Sequence, residues 1–303
     1  MITLFYTVAK KYESVLPRSL ARHVNLCQTP IKKIFLILHP EIDKNKLVDS
    51  INRLLPYSID IDSINDDQAI ETLNYFGTKY EKVVRDKHYL QQMFKLHIDI
   101  LSGEDRIVVA DADGLILNPV TYLENDKDII YIANDQMINY EFANEFFNFP
   151  AALKYDFITE KMLFNSKILK DFRSRYDSNF LQFTESRHNW YDLSQEDYNF
   201  FKGASYPSEY QSWELLPPWV QEELKTFLTD EITPTKYAHI FSEYQLYGTF
   251  AYHFYQNEVV FKPTKVQSGP FNDQNEEFDV FINRDIKGGT IGAFEYVYQK
   301  YNK

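Results

Sequence analysis

The chain has 303 residues, of which 44 % are hydrophobic and 17 % aromatic, enough to fill the core of one large domain or two small ones. Its 32 basic and 44 acidic side chains leave a formal charge of −12, which argues against sequence-independent nucleic-acid binding across a broad basic surface. The lone cysteine, Cys27, excludes an intramolecular disulfide and fits a reducing compartment.

Ile2 to Val8 predicts a first strand, and Tyr12 to Asn25 follows with helical spacing. The start, Met1 to Tyr6, lacks the basic region and the apolar length of a secretory signal. Lys33 to Leu38 predicts a second strand, closed by His39-Pro40. Leu47 to Leu55 predicts a helix and Tyr57 to Asp62 a short strand. Such alternation predicts βαβ units and a parallel sheet. Tyr89 to Leu101 predicts a helix leading into the apolar strand Ile107-Val108-Val109-Ala110. Asp128 to Ala133 predicts another strand, and Glu160 to Phe172 a segment containing a helix. Residues 185–220 are crowded with Trp, Tyr and Pro, and Val220 to Leu228 predicts a helix after Pro217-Pro218-Trp219. Ser242 to Gln256 predicts a long aromatic helix, and Asn283 to Gly292 a loop. No run approaches the roughly 18 apolar residues of a membrane span. The expectation is a cytoplasmic protein, at most peripheral to the inner face of a membrane.

The apolar strand ends in Asp111-Ala112-Asp113-Gly114. Side chains alternate along a strand, so residues i and i+2 share a face. At the carboxyl edge of an open α/β sheet, where ligands bind, two carboxylates are hard oxygen ligands for Mg²⁺ or Mn²⁺ held with substrate phosphates. The bland alternative is a solvated turn after a strand. The metal reading is the logic of the Asp-x-Asp motif of nucleotide-sugar glycosyltransferases.

The order of elements resembles the GT-A (Rossmann-like) glycosyltransferase fold, and more narrowly the bacterial polysaccharide-type glycosyltransferases of the DUF6492 group. Four segments carry the likeness: Tyr89-Leu90-Gln91-Gln92-Met93-Phe94-Lys95-Leu96, Val109 to Asp113 with Leu117-Asn118-Pro119, Phe157 to Phe164, and Phe241 to Gly248. Gly114 and Glu160-Lys161 depart from the family pattern. The resemblance implies an α/β fold with a mainly parallel sheet flanked by helices. It implies a single domain over residues 1–303, with a nucleotide-sugar-binding half (1–125) and an aromatic-rich acceptor half (126–303). It implies a nucleotide-sugar donor, Mn²⁺ or Mg²⁺, and a glycan or lipid-linked glycan acceptor, in surface polysaccharide synthesis.

The residues suit those roles. Asp111 and Asp113 would hold the metal, with Asp113 the more direct ligand, and Asp111 would also face the donor. Lys95 could act as a point charge for phosphate or hold a metal-site carboxylate. Gln91 and Gln92 could contact donor hydroxyls, and the Thr7 and Val8 end of the first strand would meet the nucleotide base. Glu243, at the start of an aromatic helix with Ser242 as cap, is the expected catalytic base, facing an acceptor across the cleft from the metal. His253 could complete the metal site. Thr159, Glu160 and Lys161 would lie near the acceptor, with Trp190, Tyr191, Trp213 and Trp219 as stacking platforms. Each also has a plainer reading as a core aromatic, a helix-surface lysine or a helix-start acid. Two other functions remain open. Asp-Ala-Asp-Gly also resembles the nucleophile loop of haloacid-dehalogenase-type Mg²⁺-dependent phosphatases, although that loop normally follows the first strand. A glycosyltransferase-like chain that binds glycan without turnover is the non-enzyme alternative.

Overall fold

The computed structural model describes residues 1–75, 87–133, 147, 157, 159–176, 242–268, 279–282 and 298. The apolar runs form strands β1 (Ile2–Val8), β2 (Ile31–Leu38) and β4 (Arg106–Asp111), and the more polar segment Asp60–Asn65 forms β3. After them come β5 (Gly114–Ile116), β6 (Leu123–Glu124), β7 (Lys127–Ala133) and β8 (Lys161–Asn165). The central sheet has the order β3-β2-β1-β4-β8. Its first four strands are parallel, and β8 closes the edge antiparallel to β4. This is the mainly parallel α/β architecture expected.

Helices α1 (Leu16–Leu26) and α2 (Lys44–Asn52) connect β1 to β2 and β2 to β3. The first helix begins later than its spacing predicts. Pro17 fits only the first turn of a helix, so the α-helix starts there and Lys10–Tyr12 form a separate 3-10 turn. Asp43 caps α2 by accepting from the backbone N–H groups of Asn45 and Lys46. The third strand lies three residues later than predicted, because pairing Lys33–Leu38 with Asp60–Asn65 sets its register. Helix α3 (Asp66–Tyr75) follows it directly.

The single helix predicted over 89–101 is two, α4 (Lys87–Leu96) and α5 (Ile98–Ser102). They break at His97, whose ring and backbone N–H both engage the Met93 carbonyl. Gly103, at φ 69°, ends α5 in the left-handed conformation that glycine favours. The segment 160–172 opens as strand β8 and becomes helical only over 166–176. Helix α6 (Glu243–Phe254) begins at Ser242, whose hydroxyl accepts from the Gln245 N–H. Strands β9 (Val259–Thr264), β10 (Val266–Ser268) and β11 (Val280–Ile282) follow. The helix predicted at 220–228 and the loop predicted at 283–292 lie outside the described residues.

Strand alternation divides the core in two. Phe5, Phe35, Ile37, Ile107, Val109, Met162 and Phe164 face Met93 and Phe94 of α4 and Leu246, Tyr247 and Phe250 of α6. Leu4, Tyr6, Val8, Leu36, Val108, Ala110 and Leu163 face Leu16, Leu20 and Val24 of α1. Strands β1, β2 and β4 are therefore apolar on both faces, as a sheet covered by helices requires. The two halves of the chain share strands: β4 pairs with β8, and β5 with β11. Among the described residues no helix is long and apolar enough to cross a membrane.

Gly248 marks the tightest packing of α6. A Cβ added there would overlap the Phe157 ring. Gly to Ala inside a helix ordinarily stabilises by about 1 kcal/mol. Here Gly248→Ala is expected to destabilise by about 1–3 kcal/mol, because the core is already filled. Urea unfolding of both proteins checks the sign.

Candidate active site

Strand β4 ends at Asp111, beside Thr7 of β1 in the parallel register, at the carboxyl edge of the sheet. Alternation puts Asp111 on the face of Ile107 and Val109, the face that α4 covers. That placement brings Lys95 to it. The Lys95 Nζ donates to Asp111 Oδ1 at 2.6 Å and to Glu243 Oε1 at 2.6 Å. It also lies 4.6 Å from the centre of the Tyr244 ring. The Tyr244 hydroxyl donates to the same Asp111 oxygen at 3.4 Å. Burial by itself lowers the pKa of Lys95, but Asp111 and Glu243 outweigh it and hold the amine above the ordinary lysine range. Lys95 is therefore a charged lysine inside the protein, balanced by two carboxylates.

Asp113 is placed differently. It is half-buried beyond the strand end and accepts from the Tyr12 hydroxyl at 3.1 Å. Burial first, and then the charge of Asp111, push its pKa up to about 6. Among the described residues no cationic side chain forms an ion pair with it, and Lys11 acts on it only through space. The two carboxylates are thus unequal: one is neutralised by a lysine, the other is held by a neutral phenol.

The segment after the pair is clamped by the polar side of α1. The Ser19 hydroxyl donates to the Gly114 carbonyl. Arg22 donates from Nε to the Ile116 carbonyl at 2.6 Å and from Nη2 to the Leu117 carbonyl at 3.0 Å. His23 is fixed between the hydroxyls of Tyr6 and Tyr122 at 2.6 and 2.7 Å. Burial lowers its pKa to about 3, so it is neutral at physiological pH. Gly114 suits this crowding, since a Cβ there would lie 3.3 Å from the Asp111 carbonyl oxygen.

Several predicted residues gather here. Glu160 is buried, with φ 56°, and its carbonyl accepts from the Asp111 N–H at 3.3 Å. A left-handed non-glycine residue at a candidate site is the kind of backbone strain that clusters with function. Gln91 lies one helical turn before Lys95 on the same side of α4, while Gln92 is buried. Val8 is buried, and its carbonyl accepts from the His39 N–H at 3.0 Å. Tyr12 and Tyr244 have no site role in the sequence reading, although Tyr12 lies in the turn four residues after β1 ends and Tyr244 adjoins Glu243.

Other residues are placed elsewhere. Glu243 does not face the carboxylate pair across a cleft: it is 2 % exposed and shares the Lys95 ammonium with Asp111. His253 follows Glu243 by ten residues on α6, about 15 Å along the axis at 1.5 Å per residue, too far to complete a metal site at the pair. The Thr159 hydroxyl is buried and donates to the Lys161 carbonyl at 2.8 Å, which occupies the group an acceptor would need. Lys161 shares the Leu163 side of β8 and lies 4.6 Å from the centre of the Tyr131 ring, on the sheet face opposite Lys95. Trp190, Tyr191, Trp213 and Trp219 lie outside the described residues.

No family model and no curated sequence matches the chain. Solved structures similar to it include mouse xyloside xylosyltransferase 1 in its apo form, at 11 % identity and TM-score 0.42, covering 93 % of this chain and 97 % of that one. An active-site mutant of LgtC is similar at 12 % identity and TM-score 0.47, covering 98 % of this chain and 95 % of that one. The S. cerevisiae mannosyltransferase Ktr4p in complex with GDP is similar at 13 % identity and TM-score 0.37, covering 56 % of this chain and 57 % of that one. At these identities and TM-scores the functional reading rests on the site's own geometry.

Lys161 yields a test of the electrostatics. Burial lowers its pKa from 10.5 to about 8, with Asp279 partly opposing the shift. Below pH 8 the folded and unfolded chains both carry the proton, and the fold bears the full cost of burying it, on the order of 3 kcal/mol. Between pH 8 and 10.5 the folded amine loses its proton before the unfolded one, and that cost disappears. Lys161→Met is therefore expected to raise the melting temperature at pH 7. The gain should shrink above pH 8 and vanish near pH 10.5, as followed by calorimetry across that range.

Proposed function

We propose that this protein is a metal-dependent glycosyltransferase of the GT-A type, moving a sugar from a nucleotide-sugar donor to a glycan or lipid-linked glycan acceptor. One observation carries the reading: Asp113, a carboxylate at the carboxyl edge of a parallel sheet, has its pKa pushed up to about 6 and lacks an ion-pair partner among the described residues. A divalent cation would supply the missing charge. Among the described residues no group of three or more His, Cys, Asp or Glu side chains could cage a metal. Mg²⁺ and Mn²⁺ often bind without such a cage, through one or two carboxylates and the substrate's own phosphates. The donor set fits that mode.

Asp113 would hold the cation, with Asp111 oriented beside it by Lys95 and Tyr244. When bound, the metal supplies positive charge for the departing diphosphate. Lys95 brings a fixed positive charge to the same edge and, held between Asp111 and Glu243, would act on the donor through space. Thr7 and Val8 end the strand beside Asp111, where the nucleotide would lie, and Gln91 and Gln92 line the helix before Lys95. Glu160 is the residue of the predicted acceptor segment that reaches the pair. We place Glu243 as the counter-ion that positions Lys95, because its carboxylate is already engaged there. The resemblance to the DUF6492 group supports surface polysaccharide synthesis at the inner face of a membrane as the setting.

Two measurements test this reading. Asp113→Ala should abolish sugar transfer and Mn²⁺ binding without lowering the melting temperature in EDTA, since no core packing is lost and the cost of a buried carboxylate beside Asp111 is relieved. Full transfer by that variant, or by the wild type in excess EDTA, would overturn the metal assignment. Phosphate release from simple phosphomonoesters, without transfer from UDP-, GDP-, CMP- or dTDP-sugars, would favour the phosphatase instead. Glu243→Gln should weaken donor binding together with transfer, because Lys95 loses a charged partner. An unchanged donor affinity with transfer reduced by roughly 10²–10⁴-fold would identify Glu243 as the general base.

A further inference from the structure

Tyr12 stands at the opposite side of the site from Lys95, in the 3-10 turn that follows β1. Its backbone is fixed at both ends: its N–H donates to the Ala9 carbonyl at 2.9 Å, and its carbonyl accepts from the Val15 N–H at 3.1 Å. The Lys11 ammonium lies 4.6 Å from the centre of its ring. Its hydroxyl crosses from the end of β1 to Asp113 Oδ2 at 3.1 Å. A phenol is protonated at neutral pH and a carboxylate only accepts, so the hydroxyl donates to Asp113.

We propose that Tyr12 is a positioning residue for the metal ligand Asp113, orienting its carboxylate without neutralising it. This rests on the metal reading above. The contrast with Asp111 carries the argument. Lys95 holds Asp111 by supplying a positive charge, and a carboxylate so paired has less need of a cation. Tyr12 holds Asp113 with a neutral donor. A carboxylate offers about four lone-pair positions on its two oxygens, so one hydrogen bond fixes its plane and leaves room for a metal. Outer hydrogen bonds of this kind orient ligating carboxylates, and removing one typically weakens metal binding about 10–100-fold.

The test is a Mn²⁺ titration with UDP present, read by electron paramagnetic resonance against the same titration of UDP alone, which reports free Mn²⁺ directly and needs no turnover. Tyr12→Phe keeps the ring and removes the donor. It is expected to weaken Mn²⁺ binding by about 10–100-fold with the melting temperature in EDTA unchanged. Tyr12→Lys, which places an ammonium where the phenol stood, is expected to abolish binding by taking the cation's electrostatic role. Asp113→Asn separates the two claims. If Asp113→Asn loses Mn²⁺ and Tyr12→Phe binds as wild type does, the metal reading stands and the role of Tyr12 is overturned. If Asp113→Asn still binds Mn²⁺ normally, the metal reading itself fails. A lowered melting temperature for Tyr12→Phe with unchanged Mn²⁺ affinity assigns the tyrosine to the fold and overturns the proposal.

Discussion

The site is organised around one buried ammonium. Lys95 lies between Asp111, at the end of β4, and Glu243, at the start of α6, at 2.6 Å from each. An amine taken out of water this completely is stable as a cation only if its counter-charges are close and well directed. That requirement joins three parts of the chain: α4 supplies the lysine, β4 one carboxylate and α6 the other. Neighbouring contacts reinforce the junction. The Gln245 side chain accepts from the Phe157 N–H at 3.0 Å, and the Tyr247 hydroxyl accepts from the Asn165 N–H at 2.8 Å. The helix is thereby registered against β8 as well as β4. Removing one member of a buried pair leaves its partner uncompensated, which generally costs about 3–5 kcal/mol.

The lysine also makes the two acids of Asp-x-Asp chemically different. A sequence motif presents them as equivalent ligands. In the fold, Asp111 belongs to an ion-paired network and Asp113 to a phenol. The same sheet edge thus combines a fixed positive charge with a carboxylate short of one.

The other face of the sheet is built on different physics. There His23 is kept neutral by burial between two tyrosines, and Lys161 is buried against the Tyr131 ring with its pKa lowered. Among the described residues neither has the close carboxylates that support Lys95. The comparison separates two buried lysines by their surroundings: one is held charged by its partners, the other is pulled toward neutrality by desolvation.

Hydrophobic periodicity alone determined that β1, β2 and β4 are strands, because an apolar run bounded by polar residues has one inexpensive conformation in a covered sheet. It also determined that Asp111 ends such a strand, with Asp113 just beyond it. Element boundaries were less legible, as at Pro17 and His97, where a missing donor or a competing hydrogen bond shifts a helix end. What only the tertiary structure decided is which groups meet. The contacts that define the site join residues 16, 148 and 101 positions apart: Lys95 with Asp111, Lys95 with Glu243, and Tyr12 with Asp113. No local pattern encodes such distances. Glu243 looked like a base because its neighbours are aromatic, and His253 looked like a ligand because the resemblance to GT-A enzymes implies a histidine at the metal. The register of α6 against β4 and α4 brought the first to Lys95, while the rise of the helix carried the second away.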